Sequence, residues 1–151
     1  MPHIHDKIDF TAEVFIVHEN KVLLRVHDKF KYWLSIGGHI ELDEDPNQAA
    51  IREVKEEVGL DVKIVGLAEG GDSSFKALIP PRFLGRHRVT DTHEHIAFVY
   101  FATSDTDIIT DSINEHEIAE TKWFSMEDLN NTELVDNVKF YALEALKELS
   151  K

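Results

Sequence analysis

Three glutamates of one short segment stand at the spacing of a single helical face. Glu53, Glu56 and Glu57 occupy positions i, i+3 and i+4, which places them within roughly 100° of arc on a helix. Like charges this close repel each other, and we expect the neighbouring Arg52 and Lys55 to point away from the centre of the stripe. The stripe suits a hard divalent cation, because Mg²⁺ prefers oxygen ligands and leaves positions for water and substrate phosphate. The alternative is an acidic helix face that contacts only solvent.

The residues just before this helix favour the metal site over the plain acidic surface. Gly37 and Gly38 follow a predicted strand, and glycines allow backbone carbonyl groups to approach a ligand closely. Glu44 lies in the loop ahead of the helix, where its carboxylate could reach the same ion. The segment therefore predicts a magnesium-type site built from side chains and backbone together.

The stretch from Gly38 to Leu60 resembles the Nudix box, whose pattern is Gly-x5-Glu-x7-Arg-Glu-U-x-Glu-Glu-x-Gly-U, with U a bulky aliphatic residue. Every specified position is filled, and this match is far more specific than a lone glycine-rich loop. The residues that fill the pattern are Gly38, Glu44, Arg52, Glu53, Val54, Glu56, Glu57, Gly59 and Leu60. The resemblance implies a Nudix-type α/β/α sandwich, with a mixed β-sheet between helices, in a single domain over residues 1–151.

The resemblance also implies an activity and its cofactor. We expect Mg²⁺ (or Mn²⁺) to assist hydrolysis of a diphosphate bond in a nucleoside diphosphate linked to another moiety. Glu53, Glu56 and Glu57 are the expected metal ligands, with Glu44 and a backbone carbonyl of Gly37 or Gly38 as further candidates. Either Glu53 or Glu56 could act as the general base. Arg52 is expected to orient the glutamates by charge-assisted hydrogen bonds rather than to touch the substrate.

Several members of the family add a carboxylate from a later loop. Glu117, six residues before Trp123, is the first candidate for this catalytic role. Glu120, Glu115 and Glu94 are the alternatives, and an exposed glutamate without a role is a further reading of each.

A basic segment in an otherwise acidic chain could bind substrate phosphate. Arg82, Arg86 and Arg88, with His87, lie in the run Arg-Phe-Leu-Gly-Arg-His-Arg. Arginine makes planar bidentate contacts with phosphate oxygens. The alternative is a loop that contacts solvent or a second subunit.

Aromatic and histidine side chains supply further candidates for substrate binding. Stacking on a nucleobase could come from any of four aromatic rings, although such rings at strand positions are more often core residues. These are Tyr32, Trp33, Phe75 and Phe83. His39, beside the glycines, could touch a phosphate. His93 and His95 share one face of a strand, but a zinc site there lacks a third clear ligand in the sequence.

The elements that must position these residues follow from patterning and punctuation. Two β-rich runs, Phe10–Val17 and Val22–Val26, predict a hairpin. Asp45, Pro46 and Gln48 predict the start of the box helix, which Gly59 should end after Val58. Its buried face should carry Ala50, Ile51, Val54 and Val58. Further predicted strands span Tyr32–Ile36, Val62–Ala68, Ile96–Ala102 and Lys122–Phe124.

The rest of the chain gives weaker signals. The stretch 70–92 is ambiguous, and we predict a strand followed by a long loop. Ser125 should cap a short helix through Leu129. Apolar residues at helical spacing predict a last helix over about Glu133–Leu149 that packs on the sheet.

Composition excludes several classes of protein. The chain has 151 residues, no cysteine and a formal net charge of -13, so disulfide frameworks, zinc–thiolate sites and cysteine nucleophiles are excluded. The acidic balance argues against binding nucleic acid or anionic membrane. No export signal is evident, so a cytoplasmic protein is the default expectation.

Two other readings compete with a pyrophosphohydrolase. A catalytically silent Nudix-fold domain could bind nucleotides or regulate a partner, although degenerate box glutamates would be expected there. A prenyl-diphosphate isomerase of the same fold would need a catalytic cysteine. A small-molecule nucleotide is the expected substrate without a more precise identity, and a homodimer is expected by analogy alone.

Overall fold

The structure is a computed structural model that describes residues 7–26, 32–110 and 120–150. It contains a mixed β-sheet with helices on both faces. The strands are β1 (Ile8–His18), β2 (Lys21–Val26), β3 (Trp33–Leu34), β4 (Ile36–His39), β5 (Val62–Ile64), β6 (Phe83–Thr90), β7 (His93–Ser104) and β8 (Thr121–Phe124). The helices are α1 (Pro46–Val58), α2 (Met126–Asn131) and α3 (Asp136–Leu149).

The sheet is built around two long strands. β1 and β7 run parallel over ten paired residues, from Ile8 opposite Glu94 to Val17 opposite Thr103. The remaining pairs are antiparallel: β2 and β4 pair with β1, β5 and β6 with β7, and β3 and β8 with β2. The mixed sheet predicted from the sequence is therefore confirmed.

Alternation along β1 separates two hydrophobic cores. Ala12, Val14 and Ile16 face α1 and belong to one buried cluster. Phe15 and Val17 face the other way, into a cluster that contains the buried side of α3. Because successive side chains of a strand point to opposite faces, Asp9, Thr11 and Glu13 continue the α3 side beyond the apolar core.

The box helix α1 has the predicted ends. Oδ1 of Asp45 accepts from the amide of Gln48 at 2.9 Å, and the amide of Asp45 donates to Oε1 of Gln48 at 2.9 Å. Gly59 adopts φ 71° and donates to the carbonyl of Lys55 at 3.1 Å. Its buried face differs in one respect: Ala49 is buried, whereas Ile51 is 47% exposed.

The predicted strand Tyr32–Ile36 divides into two. β3 and β4 are separated by Ser35 and pair with different strands, β2 and β1. Gly37 and Gly38 consequently lie inside β4 rather than after a strand. This places both glycines in the sheet, directly against Ala12 and Glu13 of β1.

The prediction for residues 70–92 has the wrong order. An irregular loop comes first, and strand β6 follows and forms a hairpin with β7, which begins at His93 rather than Ile96. The strand predicted over Val62–Ala68 is likewise shorter and ends at Ile64. Pro80 and Pro81, which precede β6, cannot donate to a ladder. The side chains of β6 itself are mostly exposed, so no alternation of apolar residues marks the strand.

The two C-terminal helices form as expected with modest shifts. Ser125 and Asp128 make a capping box for α2. Helix α3 begins at Asp136 and buries Val138, Ala142, Ala145 and Leu146 against the sheet. None of the helices in the described ranges is long and apolar enough to cross a membrane.

Candidate active site

Arg52 is the centre of the glutamate cluster on α1. Its Nη1 donates to Oε1 of Glu53 and Oε2 of Glu56, each at 3.1 Å. Its Nη2 donates to the carbonyl oxygen of His39 at 3.1 Å. The expectation that Arg52 points away from the stripe is therefore wrong. Its long side chain turns back toward the glutamates and neutralises part of their negative charge. The geometry matches an orienting role, because charge-assisted hydrogen bonds fix both carboxylates.

Glu44 is held by the same arginine. Its two carboxylate oxygens accept from Nε and Nη2 of Arg52 at 2.9 and 2.6 Å. Hydrogen bonding from Arg52 holds the pKa of Glu44 below its ordinary value. In this arrangement Glu44 anchors Arg52, and both of its oxygens are engaged.

Glu57 lies deeper than the other box glutamates. Its Oε2 is 3.0 Å from Nη1 of Arg25 and accepts from the amide of Gly37 at 3.4 Å. Burial, together with the nearby charge of Glu53, raises the pKa of Glu57 to about 7 despite the arginine. A carboxyl group with such a pKa loses its proton readily when a cation approaches.

Glu53 approaches the backbone of β4 closely. A Cβ placed on Gly38 would lie 2.5 Å from Oε1 of Glu53, so only glycine leaves space for this carboxylate. Burial raises the pKa of Glu53 above its ordinary value, and contacts with Arg52 oppose that effect. Gly37 is required for another reason, since a Cβ there would lie 2.1 Å from the carbonyl oxygen of Ala12.

This donor set fits a divalent cation of the magnesium type. Glu53, Glu56 and Glu57 supply only hard oxygen ligands, as Mg²⁺ and Mn²⁺ prefer. The raised pKa values of Glu53 and Glu57 mark a site where negative charge is crowded and partly desolvated. A cation would relieve that crowding.

Glu57 of this set lines a cavity of about 610 Å³. That volume is within the range of small-molecule sites. Gly37 and Gly38 also line the cavity, together with His39, Arg88 and His95. Apolar contacts come from Leu34, Val135 and Val138.

The basic segment is not a loop: Arg86, His87 and Arg88 belong to strand β6, and Arg82 lies just before it. The three arginines have different surroundings. Arg88 lines the cavity. Arg86 donates from Nε and Nη2 to the carboxylate of Glu94 at 2.7 and 2.8 Å. Arg82 donates to Oε2 of Glu148 at 3.0 Å, away from the cavity-lining residues.

The aromatic candidates also separate. Tyr32 lines the cavity and is 51% exposed. Trp33 packs edge-on against Phe124, with ring centroids 4.9 Å apart, and Phe83 lies between the rings of Phe101 and Tyr141. Phe75 is exposed in the loop before β6. The structure thus brings Tyr32 and His39 to the cavity, and the rings of His87 and His95 line it as well.

The later-loop carboxylates remain predictions. Glu117 and Glu115 lie outside the described residues. Glu120 is exposed, and its carbonyl oxygen accepts from the amide of Val26 at 2.9 Å. Glu94 is engaged with Arg86.

Sequence reasoning missed several residues of the cavity wall, among them Glu13, Thr11 and Arg25. Glu13 lies on β1, and burial raises its pKa above the ordinary value. Beside it, Oγ1 of Thr11 is buried without a hydrogen-bond partner in the described parts of the chain. Arg25, on β2, pairs with Glu57. The signal for Glu13 was present: it is an acidic residue inside a β-rich apolar run, where buried charge usually has a purpose.

Comparison with known proteins agrees with this geometry. The model of the NUDIX domain matches residues 9–146. The chain belongs to the Nudix family. A crystal structure of a NUDIX-family hydrolase from Clostridium perfringens is 41% identical and superimposes with a TM-score of 0.83, covering 94% of this chain and 98% of that one.

More distant relatives are consistent with that assignment. A MutT NUDIX hydrolase from Burkholderia pseudomallei shares the fold, with 20% identity and a TM-score of 0.67, covering 96% of this chain and 100% of that one. Diphosphoinositol polyphosphate phosphohydrolase 3-beta from Bos taurus is 30% identical over 112 residues, or 73% of this chain. The match covers 58% of that relative. The predictions of the Nudix fold and of an enzyme of the Nudix hydrolase family are confirmed.

Proposed function

We propose that this protein hydrolyses a diphosphate bond in a nucleoside diphosphate linked to another moiety, with Mg²⁺ or Mn²⁺ as cofactor. The observation that carries the proposal is the intact set of box carboxylates, one of which, Glu57, lines a cavity. Glu53 and Glu56 are fixed by Arg52, and Glu57 reaches the cavity wall next to Gly37 and Gly38. A silent Nudix-fold domain would not need this arrangement.

The chain's own residues divide the work. Glu53, Glu56 and Glu57 would hold the cation, with a carbonyl of Gly37 or Gly38 as a further ligand. A bound divalent cation neutralises phosphate oxygens and lowers the pKa of water. Arg52 keeps two of the carboxylates in place while Glu44 holds Arg52. Either Glu53 or Glu56 accepts the proton of the attacking water.

The lining of the cavity supports a nucleoside derivative. Leu34, Val135 and Val138 offer apolar surface for a base or sugar, with Tyr32 at the same cavity. Arg88 and His39 offer contacts to phosphate. A diphosphoinositol polyphosphate, the substrate class in the bovine relative's name, carries many phosphates. The arginines on the described cavity wall are Arg25 and Arg88. Because Arg25 already pairs with Glu57, this wall suits a nucleoside derivative better than a substrate with many phosphates.

The experiment is a substrate panel with and without Mg²⁺ and Mn²⁺. It should include nucleoside triphosphates, nucleotide sugars, ADP-ribose, dinucleoside polyphosphates and a diphosphoinositol polyphosphate. Turnover should require metal and fall strongly in Glu56→Gln and Glu57→Gln. Glu133→Gln, an exposed glutamate outside the site, is the matched control and should keep full activity.

Two results would contradict the proposal. Metal-independent turnover would exclude the assigned mechanism. Absence of turnover across the panel, together with nucleotide binding by folded protein, would support the silent binding domain instead. A cytoplasmic location, a homodimer and the lack of nucleic-acid or membrane binding stay predictions.

A further inference from the structure

A second group of potential metal ligands lies at the ends of three strands. Asp9 is near the start of β1, His39 ends β4, and His93 and His95 begin β7. One ligand atom from each of these four residues lies within 4.8 Å of the others. The sequence offered only the pair on β7, and the sheet supplies the other two.

Strand pairing explains why the four residues meet. Asp9 stands opposite His95 in the parallel β1–β7 pair, and His39 stands opposite Thr11 in the β1–β4 pair. His93 and His95 are two residues apart and therefore share a face. All four project on the α3 side of the sheet, beyond the apolar core.

The distances fit coordination of one small cation. Oδ2 of Asp9 is 3.1 Å from Nε2 of His39 and 3.2 Å from Nε2 of His93. The rings of His39 and His93 lie 4.9 and 5.1 Å from that of His95. Metal–ligand bonds of about 2.0–2.1 Å in a tetrahedron separate ligand atoms by about 3.3 Å, so only small side-chain movements would be needed.

The donor set distinguishes this cluster from the glutamates of α1. Three imidazoles and one carboxylate favour Zn²⁺ and neighbouring transition metals, whereas Mg²⁺ prefers oxygen ligands throughout.

The carboxylate of Asp9 is also prepared for a ligand role. Its Oδ1 accepts from the amide of Phe10 at 3.1 Å, which fixes the orientation of the group. Its Oδ2 is the atom that faces His39 and His93. Ligating carboxylates are commonly held by such an additional hydrogen bond.

We propose that Asp9, His39, His93 and His95 form a Zn²⁺ site that is separate from the magnesium-type site of the Nudix box. Bound metal would tie the ends of β1, β4 and β7 together. It would thereby stabilise the turn end of the β6–β7 hairpin, which carries Arg88 to the cavity. Because His39 and His95 also line the cavity, the metal would lie at its edge.

The test measures metal binding by untagged protein that has been treated with chelator. Calorimetry measures the binding of Zn²⁺, and visible absorption measures the binding of Co²⁺. Wild-type protein should bind one Zn²⁺ per chain in the presence of excess Mg²⁺, and Co²⁺ should give the strong absorption of tetrahedral coordination. Asp9→Asn, His93→Gln and His95→Gln should each weaken Zn²⁺ binding at least tenfold. Zn²⁺ should raise the Tm of wild-type protein and leave that of a His93→Gln/His95→Gln variant unchanged.

Three controls locate the site. The ring centroid of His87 is 5.4 Å from that of His95, but His87 is outside the four-residue set. His87→Gln should therefore bind Zn²⁺ at least tenfold more tightly than His95→Gln does. Glu56→Gln should bind Zn²⁺ as wild type does while losing turnover, which separates this proposal from the proposed function. His3→Ala/His5→Ala tests the two N-terminal histidines outside the described ranges and should also retain binding.

Other outcomes overturn the proposal. Failure of folded wild-type protein to bind Zn²⁺ or Co²⁺ would do so directly. Loss of Zn²⁺ binding in Glu56→Gln, or in His3→Ala/His5→Ala, with retention in His93→Gln, would place the metal elsewhere. Circular dichroism of each variant distinguishes loss of ligands from loss of fold.

Discussion

Gly38 lies so close to Glu53 that a Cβ on the glycine would stand 2.5 Å from the glutamate's Oε1. The contact joins the strand β4 to the helix α1 at the point where the metal is expected. Glycine at position 38 therefore leaves the space that the carboxylate of Glu53 occupies. At the neighbouring Gly37, an added Cβ would instead meet backbone, namely the carbonyl oxygen of Ala12.

Gly38→Ala should impair the metal site without unfolding the protein. The atoms that meet the new methyl group belong to a flexible side chain, so Glu53 would be displaced at small cost to stability. We expect Mg²⁺ affinity or kcat to fall about 10–100-fold, as for other groups that position ligands. Mg²⁺ titration and steady-state kinetics measure this. Gly85→Ala, where the nearest atom is Oη of Tyr141 at 3.7 Å, is the control, and equal behaviour of the two variants would contradict the prediction.

Gly37→Ala should instead destabilise the fold. Its Cβ would meet the carbonyl oxygen of Ala12 at 2.1 Å, and this atom belongs to the backbone of a central strand. We expect a loss of about 3 kcal/mol or more in the free energy of unfolding. Urea denaturation of both glycine variants checks the contrast. A Gly37→Ala protein as stable as Gly38→Ala would show that β4 can move away from β1.

Arg52→Lys should lower kcat and leave KM nearly unchanged. Lysine keeps the charge but cannot bind both oxygens of Glu44 and also reach Glu53 and Glu56. Because Arg52 is not among the residues that line the cavity, substrate affinity should be little affected. We expect kcat to fall about 10–100-fold. Lys55→Gln, which removes an exposed contact with Asp61, is the control, and a raised KM with normal kcat would assign Arg52 to substrate binding instead.

Metal-free protein should lose stability as pH rises from about 4.5 to about 7. The pKa of Glu57 is raised from 4.5 to about 7 in the folded protein, so folding favours its protonated form. The contribution is complete below the unfolded value and is lost as pH rises through the folded one. Its size should be on the order of 2 kcal/mol. Denaturation in chelator across this range should show the free energy of unfolding of wild type falling, relative to that of Glu57→Gln, as pH rises. Glu56→Gln should follow wild type.

Saturating Mg²⁺ should reduce this pH dependence. A bound cation favours the ionised carboxylate and lowers its pKa. The same denaturation series with Mg²⁺ measures the effect. Parallel curves for wild type and Glu57→Gln in chelator would show that Glu57 ionises normally.

Arg88→Ala should raise KM more than Arg86→Ala. Arg88 lines the cavity, whereas both nitrogens of Arg86 that face Glu94 are already bound. Loss of a phosphate contact worth about 1.4 kcal/mol corresponds to a tenfold change. Kinetics on the best substrate of the panel should show about this rise for Arg88→Ala and less than twofold for Arg86→Ala. Equal effects, or none, would remove Arg88 from the substrate site.

Local sequence signals determined the box helix almost completely. Asp45, Gln48 and Gly59 set its ends through contacts within a few residues, and these contacts depend little on the rest of the chain. The stripe of Glu53, Glu56 and Glu57 follows from helical periodicity. The family assignment follows from the same segment. Strand β6 was missed because its side chains are mostly exposed, so no alternation of apolar residues marks it.

Only the tertiary structure decided which distant residues complete each site. The sequence by itself determined the glutamate stripe, the paired glycines and the family. It did not determine that Arg25 and Glu13 share a cavity with Glu57, or that Arg52 turns back onto its own helix. It also did not bring Asp9 and His39 to the histidines of β7, 84 residues beyond Asp9 in the case of His93. Those meetings depend on strand order and register, which are set by burial of whole faces rather than by local spacing.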